Sequence, residues 1–556
     1  MAKKLVAILL IAMLAMGSLA GCGGATETNA EPAAQEAGEQ AAAAPKEVVI
    51  GLTGDAYSLD PFPLNETITN AINNHIFNQL VEPNADLQPE PALAETWDVE
   101  ENGKKWIFHL RQGVTFQNGN TFTADDVIYS FDRSKEEMSA FKYCLSTVES
   151  YKKLDDYTVE VVCIEPNALL LAHLKDLSIL DAETCDGQTD DWIALNPNGT
   201  GRYKLVEHVR EDRIILERNE DFWGELPEAE KVTFKPITNE STRTANMISG
   251  AVNLVVDVPV RDVDMLKSKE NLSVIAQPSL RVIYLNLAGW SDTPSMDAEM
   301  PLKSPDGSNP LKDIRVREAM YRAINEEEIV AQIMNGFALP ATTYIPEGFN
   351  GYNPDVERLA YDKEKAEQLL DEAGYPRQGD GYRFEVTLDA PNDRYINDGP
   401  IASAVAGYLE KVGIKVNLNL MSRTVFFKYI SASNKEGDNT HLCMTGWADS
   451  GGESALMALD LLYSKTQNGA VKEGYGGVNR GFYVNPEVDA IIDQAMMTVD
   501  PAERASIIEE AWQIAADDVS YIPLHFQQDV YAHDNSIIYH PRKDKYVYAW
   551  DVEFVK

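Results

Sequence analysis

The cysteine at position 22 ends a segment whose residue types indicate lipid attachment. Lys3 and Lys4 precede twelve apolar residues, Leu5 to Met16, and the small residues Gly17 to Gly21 lead into Cys22. Positive charge, a short apolar run and small residues before a cleavage site are typical of a secretory signal. The apolar run is too short for a membrane-spanning helix, which needs roughly 20 residues. We therefore expect cleavage before Cys22 and a lipid on its thiol, which tethers the chain outside the cytoplasm.

The segment that follows Cys22 is too polar to fold. Residues 23–46 are rich in Ala, Glu, Gln, Thr and Gly and have almost no large apolar side chain, so they cannot bury enough surface to form a core. A flexible chain of this length has an r.m.s. end-to-end distance of roughly 27 Å. We expect residues 22–46 to be a disordered linker that keeps a folded body near the membrane.

The other residues that could bind metal or act as nucleophiles are scattered. Cys144, Cys163, Cys185 and Cys443 have irregular spacings without a CxxC motif. An oxidising compartment permits disulfides among them, and a chain of this size does not need one. The eight histidines form no HxH or HExxH motif, and no GxSxG motif is present. The sequence therefore supports no metal site, no cofactor and no hydrolytic enzyme.

The chain is strongly acidic. Its 88 Asp and Glu residues outnumber 48 Lys and Arg residues, which gives a formal net charge of −40. A surface of this charge repels nucleic acid and anionic lipid headgroups. We interpret the acidity as that of a soluble extracellular surface, and we expect no nucleic-acid partner.

Apolar patterns predict strands along most of the remaining chain. Continuous apolar runs are typical of buried strands, and alternation of apolar and polar residues is typical of half-buried ones. Residues 203–209 and 213–217 are predicted to form a hairpin. The other predicted strands are 48–52, 106–110, 282–287, 383–388 and 413–418.

Helices are predicted from N-cap residues and from apolar residues spaced three and four apart. Thr123, with Asp126 three residues later, has the pattern of a capping box before an apolar helical stripe. Asp500 is the predicted N-cap of a helix near the C-terminus, and Gly374 is predicted to end another helix. A further helix is predicted at 316–324. Helices mixed with strands predict α/β lobes rather than a helix bundle or a β-sandwich.

Several motifs follow one another in a fixed order. The longest runs from Ala92-Leu93-Ala94-Glu95-Thr96-Trp97 through Trp106–Phe116 to Thr123–Phe131. Three more follow it: Asn198-Gly199-Thr200-Gly201-Arg202-Tyr203, Ile314–Ala319 and Tyr361–Tyr375. Together they resemble the extracellular solute-binding proteins of family 5, the oligopeptide-, dipeptide- and nickel-binding components of ABC importers. Arg202 departs from that family, which commonly has proline at this position of the turn.

The resemblance implies a bilobal periplasmic-binding-protein-like α/β fold of the cluster C type, with a hinge and an extra small domain inserted in lobe 1. Residues 1–21 are then the lipoprotein signal peptide and residues 22–46 the linker. The implied division of the folded body is lobe 1 (domain Ia) at 47–58, 198–280 and 524–556, the inserted domain Ib at 59–197, and lobe 2 (domain II) at 281–523.

The resemblance also implies ligand contacts. Asp449, in Gly446-Trp447-Ala448-Asp449, matches the segment in which peptide-binding members hold the α-amino group of the ligand with an aspartate. Arg394 matches the segment whose arginine receives the ligand's carboxylate in dipeptide binders. An acceptor-only carboxylate and a planar fork of donors suit the two ends of a zwitterion. Trp447 and Tyr57 are expected pocket walls, and a purely local role in a loop is the alternative for each of the four residues.

The function that the resemblance implies is solute capture without catalysis. We expect an extracytoplasmic, lipid-anchored, monomeric receptor that captures oligopeptides or dipeptides between its lobes. It delivers them to the permease subunits of an ABC importer, which work with cytoplasmic ATPases. Two alternatives remain: a receptor for a nickel chelate, an opine, a glutathione-like solute or an oligosaccharide, and a sensor that reports a peptide signal to a membrane partner.

Overall fold

The structure is a computed structural model. It describes residues 46–84, 87–290, 304–305, 307–347, 349–436, 441–448, 452–467, 470–471 and 475–556. The predicted signal peptide, Cys22 and the predicted linker up to residue 45 lie outside these residues, and so does Asp449.

Strands and helices alternate along the described chain, which confirms the predicted α/β class. The strands are β1 (Glu47–Leu52), β2 (Val81–Pro83), β3 (Pro89–Pro91), β4 (Ala94–Glu100), β5 (Lys105–Leu110), β6 (Val148–Asp155), β7 (Thr158–Cys163), β8 (Tyr203–Val209), β9 (Arg213–Arg218), β10 (Lys231–Pro236), β11 (Leu254–Val255), β12 (Leu272–Leu287), β13 (Ala338–Pro340), β14 (Phe384–Pro391), β15 (Ile414–Met421), β16 (Leu442–Trp447), β17 (Thr466–Gln467), β18 (Ala470–Val471), β19 (Tyr521–Asp534), β20 (Ile537–Tyr539) and β21 (Val552–Phe554).

The helices are α1 (Thr67–Ile76), α2 (Ala124–Ser134), α3 (Leu170–Leu174), α4 (Ala182–Cys185), α5 (Asp190–Leu195), α6 (Glu240–Ser249), α7 (Val263–Lys267), α8 (Ile314–Ala323), α9 (Glu326–Gln332), α10 (Lys363–Glu372), α11 (Asp398–Lys411), α12 (Arg423–Glu436), α13 (Ser454–Leu461), α14 (Pro486–Met497) and α15 (Pro501–Asp517). Within the described ranges, none of them is both long and apolar enough to cross a membrane.

The largest sheet has two long strands at its centre. Its order is β15-β14-β16-β12-β19-β11-β1-β10-β9-β8, with β13 also paired to β19. β12 and β19 are antiparallel along their length, with Leu272 opposite Asp534 near one end and Asn286 opposite Tyr521 near the other. These two strands therefore join the parts of the sheet on either side of them.

The two halves of this strand pair pack into different hydrophobic cores. Leu272 and Val530 belong to one core, whereas Leu285 and Ile522 belong to another. A shift of register between residues 278 and 282 separates the two halves. Different cores on one continuous strand pair indicate two packing units that meet at the register shift.

We call residues 46–278 and 528–556 lobe 1, and residues 282–526 lobe 2. The intervening residues of β12 and β19 are called the crossing. The lobe boundaries predicted from the sequence fall inside β12 and β19, close to the crossing, and the predicted division into domains Ia, Ib and II stays a prediction.

Lobe 1 contains a second sheet of four strands in the order β4-β5-β7-β6. Its strand β5 buries Trp106 and Phe108, and helix α2 adds Phe131 to the same core. The side chain of Asp126 accepts a hydrogen bond from the backbone N–H of Thr123 at 2.8 Å, which completes the capping box. The strand at 106–110 and the start of this helix are therefore confirmed.

The predicted hairpin and helices are also present. β8 and β9 pair antiparallel, α8 and α10 contain the predicted apolar stripes, and the side chain of Asp500 caps α15. Strand β12 is longer than expected, because the prediction covered only its last six residues. Its first half includes the exposed residues Ala276 and Pro278, so no apolar run marks it in the sequence.

The turn that contains Arg202 packs tightly against helix α1. An added Cβ at Gly199 or Gly201 would overlap the carbonyl oxygen of Ile76, so both positions require glycine. The guanidinium of Arg202 lies 4.6 Å from the ring centroid of Trp550 and donates to Glu82. The arginine therefore stabilises the turn through stacking and an ion pair, in place of the rigidity that proline gives.

The sheet of lobe 2 places two loops at the same edge. β14 is parallel to β15 and to β16, with Leu388 opposite Leu442. The carboxyl ends of parallel strands meet at one edge of a sheet. The loop that follows β14, which contains Arg394, therefore lies beside the end of β16 at Trp447.

Candidate functional site

A large cavity lies between the lobes at the crossing. Its volume is about 1430 Å³. Both lobes contribute to its wall, and the crossing contributes Ser279, Leu280, Arg281 and Gln527. The charged residues that line it are Glu66, Glu240, Arg243, Asp257, Arg261, Asp264, Lys543, Asp544 and Lys545 from lobe 1, Asp393, Arg394, Asp398 and Arg423 from lobe 2, and Arg281 from the crossing. A polar solute in this cavity would meet charges of both signs.

The lobe 1 wall carries a lysine between two carboxylates. Nζ of Lys545 lies 2.6 Å from Oδ1 of Asp257 and 3.2 Å from Oδ1 of Asp529. Burial raises the pKa of Asp257, but the charge and hydrogen bond of Lys545, together with the charges of Arg243 and Arg281, lower the pKa overall. Asp257 and Lys545 both have left-handed backbone conformations, with φ of +49° and +68°. Such conformations cost of order 1–3 kcal/mol each, so the surrounding structure holds this ion cluster in place.

The loop after β14 is fixed by the carboxylate at the start of α11. One oxygen of Asp398 accepts the backbone N–H groups of Arg394 and Tyr395 at 2.8 and 2.9 Å, and the other accepts that of Gly399. The side chain of Asn397 donates to the carbonyl of Ile333 at 2.8 Å. Hydrogen bonds thus hold the backbone of Arg394, while its guanidinium lines the cavity and forms no ion pair with a described residue.

A smaller recess, with a volume of about 260 Å³, shares several lining residues with the cavity. Arg281 and Arg394 line both the cavity and the recess, and Arg480 lines the recess. We call this space the arginine recess. Trp447 lines it as well, and its indole Nε1 is buried and has no hydrogen-bond partner among the described residues.

The structure brings two of the four predicted ligand residues together. Arg394 and Trp447 both line the arginine recess. Asp449 lies outside the described residues, two positions beyond Trp447 in the chain, and Ala448 lines both the cavity and the recess. Tyr57 is 60% exposed and is not among the residues that line either space. Its predicted role as a pocket wall therefore has no support from this arrangement.

Sequence reasoning did not identify Arg281, Arg480 or Lys545. Arg281 is at the crossing, and its position depends on the long-range pairing of β12 with β19. Arg480 lies in a loop without periodicity, and Lys545 lies in the last segment of the chain. One feature of the sequence could have pointed to these residues. Basic residues are outnumbered by acidic ones in this chain, 48 to 88, so each of them is a candidate for binding an anion.

The four cysteines of the folded body, Cys144, Cys163, Cys185 and Cys443, are buried free thiols, and no disulfide joins them in the described structure. Burial raises the pKa of Cys163 to about 11 and that of Cys443 to about 12, so both thiols stay protonated. Among the described residues, no three His, Cys, Asp or Glu side chains are placed to hold a metal ion.

Comparison with known proteins supports the same architecture. The glutathione-binding protein GsiB of Salmonella typhi is 28% identical over 502 residues, which are 89% of this chain and 92% of GsiB. The periplasmic binding protein DppA of Helicobacter pylori, in complex with the peptide STSA, has a TM-score of 0.71 and 25% identity, over 92% of this chain and 98% of DppA. NikZ of Campylobacter jejuni, in complex with Ni(L-His), has a TM-score of 0.72 at 20% identity, over 92% of this chain and 100% of NikZ.

The model of the bacterial extracellular solute-binding proteins, family 5 Middle, matches residues 88–470. That match covers more than half of the chain. It includes the long motif from Ala92 to Phe131, the loop that bears Arg394, strand β16 with Trp447, and β12, the first strand of the crossing. It confirms the resemblance found in the sequence, and the similar structures confirm the bilobal fold. The chain belongs to the bacterial extracellular solute-binding proteins of family 5, which are extracytoplasmic substrate-binding components of ABC transporters and not enzymes.

Proposed function

We propose that this protein captures a short peptide, or a related zwitterionic solute, in the cavity between its lobes and delivers it to the permease of an ABC importer. The observation that carries the proposal is the charged wall of the cavity, to which both lobes contribute. Closure of the lobes would take the charged ends of a solute out of water. That step is favourable only if each end meets a partner of opposite charge or a hydrogen-bonding group.

Arg394 is the proposed partner of the solute's carboxylate. Its backbone is held by Asp398, and its exposed guanidinium lines the cavity. A planar guanidinium can donate two parallel hydrogen bonds to one carboxylate. Asp449 is the proposed partner of the α-amino group, on the basis of the family's segment and the cavity position of the preceding residue, Ala448.

The ligands named for two similar proteins favour a peptide. GsiB is named for glutathione, and DppA contains the tetrapeptide STSA. Both compounds carry an amino group and at least one carboxylate, the chemistry proposed for this cavity. A nickel chelate, an opine or an oligosaccharide, and the role of a peptide-signal sensor, are the alternatives that the experiment below must separate.

Mass spectrometry of the ligand that copurifies with the mature protein tests the proposal most directly. We expect one or more short peptides, and calorimetry with dipeptides, glutathione and Ni(L-His) should show binding of at least one peptide. Small-angle scattering with a saturating peptide should show a smaller radius of gyration, because lobe closure compacts the molecule. Binding of a nickel chelate or a sugar with no binding of any peptide would overturn the proposal.

We also propose that the mature chain is a monomer tethered by a lipid on Cys22, with residues 22–46 as the linker to the folded body. The support is the signal pattern in the sequence and the extracytoplasmic location of the family. A tether of this kind would keep the loaded protein near the permease. Uptake of labelled peptide by cells that carry or lack the gene distinguishes delivery from signalling.

A further inference from the structure

The arginine recess has a local excess of positive charge inside a strongly acidic protein. Arg281, Arg394 and Arg480 line it, and no Asp or Glu is among its described lining residues. Acidic residues outnumber basic ones by 88 to 48 in the whole chain. None of the three guanidinium groups forms an ion pair with a carboxylate in the described part of the molecule. The recess therefore brings together three arginines that have no described carboxylate partner.

The two carboxylates that attract Arg281 are already bonded to a lysine. Asp257 and Asp529 attract the charge of Arg281, but both are bonded to Lys545 at 2.6 and 3.2 Å. Two carboxylates, one lysine and Arg281 together have no net charge. Arg394 and Arg480 form no ion pair with any described carboxylate.

The guanidinium groups are held in position. Those of Arg281 and Arg394 lie 5.7 and 5.2 Å from the ring centroid of Tyr395. The hydroxyl of Tyr395 is within 3.1 Å of Thr445 Oγ1 and donates to the carbonyl oxygen of Gly446 at 3.1 Å. A cation near an aromatic face is attracted by the ring, so the anchored tyrosine orders both arginines before any solute arrives.

Arg480 is positioned by a different contact. One of its Nη atoms donates to the carbonyl oxygen of Ile430 at 3.2 Å, and its other N–H groups have no hydrogen bond to any described residue. The indole N–H of Trp447 is a further donor in the recess, buried and without a partner among the described residues. Unpartnered buried donors are unfavourable, and an anionic group with several acceptor oxygens would satisfy these donors together.

The arginines of the recess repel one another. Burial lowers the pKa of Arg281, and the positive charge of Arg394 lowers it further. An anion between the two guanidinium groups would remove that repulsion.

We propose that the arginine recess binds a second carboxylate of the captured solute, so that the protein selects solutes with two or more carboxylates, such as peptides with an acidic side chain. This inference rests on the proposed peptide capture. Arg394 faces both spaces, so a C-terminal carboxylate on Arg394 places an adjacent acidic side chain against Arg281 and Arg480. The recess of about 260 Å³ has room for a short side chain.

Calorimetry with the dipeptides Ala-Glu and Ala-Gln tests the selection, because they differ by one carboxylate at nearly equal shape. The parent protein should bind Ala-Glu more tightly by roughly tenfold or more, as expected for one charge-assisted hydrogen bond. Arg480→Gln should remove most of that preference, and Arg281→Gln should reduce it as well. Arg210→Gln is the matched control, because it removes one exposed positive charge on the turn between β8 and β9 and should leave the preference unchanged.

A thermal-shift titration with glutarate and with its diamide tests the recess without any peptide. Glutarate should raise the melting temperature of the parent and of Arg210→Gln more than the diamide does. The difference should be smaller in Arg480→Gln and in Arg480→Lys, since lysine keeps the charge but lacks the donor fork. The melting temperature without additive shows whether each variant is folded.

The two experiments separate failure of the recess from failure of the proposed function. Two results would overturn the proposed role of the arginine recess and leave peptide capture standing. One is equal affinity for Ala-Glu and Ala-Gln, and the other is a preference for Ala-Glu that survives both Arg281→Gln and Arg480→Gln. Binding of glutarate that depends on Arg480, without binding of any peptide, supports the recess as an anion site and overturns peptide capture. Binding of neither class overturns both.

Discussion

Loss of the Arg504 guanidinium should destabilise lobe 2, because it leaves a buried carboxylate without its partner. Arg504 donates from Nη2 and Nε to the two carboxylate oxygens of Glu453, at 2.5 and 3.2 Å. The two side chains are only 4% and 5% exposed. Glu453 stands four positions after Asp449 in the chain.

The size of the effect follows from this burial. Removal of one partner from a buried ion pair costs about 3–5 kcal/mol, because the remaining charge has lost its compensation. The whole free energy of unfolding of a domain is about 5–15 kcal/mol, so Arg504→Met should lower the stability of lobe 2 by a large fraction. Glu453→Gln in the same chain removes the uncompensated charge, and the double variant should be more stable than Arg504→Met alone.

Urea unfolding followed by tryptophan fluorescence measures the effect, since the buried Trp512 lies on the same helix as Arg504. Arg213→Met is the matched control. Arg213 binds Glu207 through the same two-atom geometry, at 2.9 and 3.1 Å, but the side chains are 37% and 41% exposed. Exposed pairs contribute little, so the control should unfold at nearly the parent's urea concentration. An Arg504→Met variant as stable as the control would refute the reasoning.

Three further outcomes are expected. Burial lowers the pKa of His75 from 6.5 to about 3, so the unfolded chain binds one more proton between these values. The free energy of unfolding should then fall as the pH drops from 6.5 toward 3. The urea concentration at the midpoint of unfolding should fall less over this pH range in His75→Gln than in the parent. An equal fall in both proteins would contradict this prediction. Cys22→Ala should accumulate as uncleaved precursor in mass spectrometry, and normal cleavage with acylation would exclude the lipid anchor. Asp449→Ala should weaken free peptides by roughly ten- to a hundredfold in calorimetry while N-acetylated peptides lose little more; unchanged binding of both would make Asp449 a loop residue.

Local chemistry explains which elements the sequence predicted. The capping box of Thr123 and Asp126 and the cap at Asp500 depend on residues a few positions apart, so they are visible in the sequence. The first half of β12 depends instead on pairing with β19, more than 250 positions away in the chain. Its exposed Ala276 and Pro278 give no apolar pattern, and only the assembled sheet reveals the strand.

The same distinction applies to the candidate site. Arg394 and Trp447 were predicted because each lies in a segment that matches the family, and Arg394 also follows a predicted strand. Arg281 and Arg480 reach the recess through the crossing and through an irregular loop, and neither position has a local signature. Tyr57 follows a predicted strand as well, but its backbone N–H bonds to Thr69 and its ring faces solvent. Position after a strand therefore did not establish a ligand role.

The four buried thiols have a consequence for how this protein must mature. In the folded state Cys144, Cys163, Cys185 and Cys443 are at most 4% exposed, so oxidants cannot reach them. An unfolded chain exposes all four outside the cytoplasm, where thiols are readily oxidised. These cysteines stay reduced only if the chain folds and buries them faster than disulfides form between them. Each later excursion to the unfolded state gives oxidation another opportunity, so slow unfolding preserves the protein over its working life.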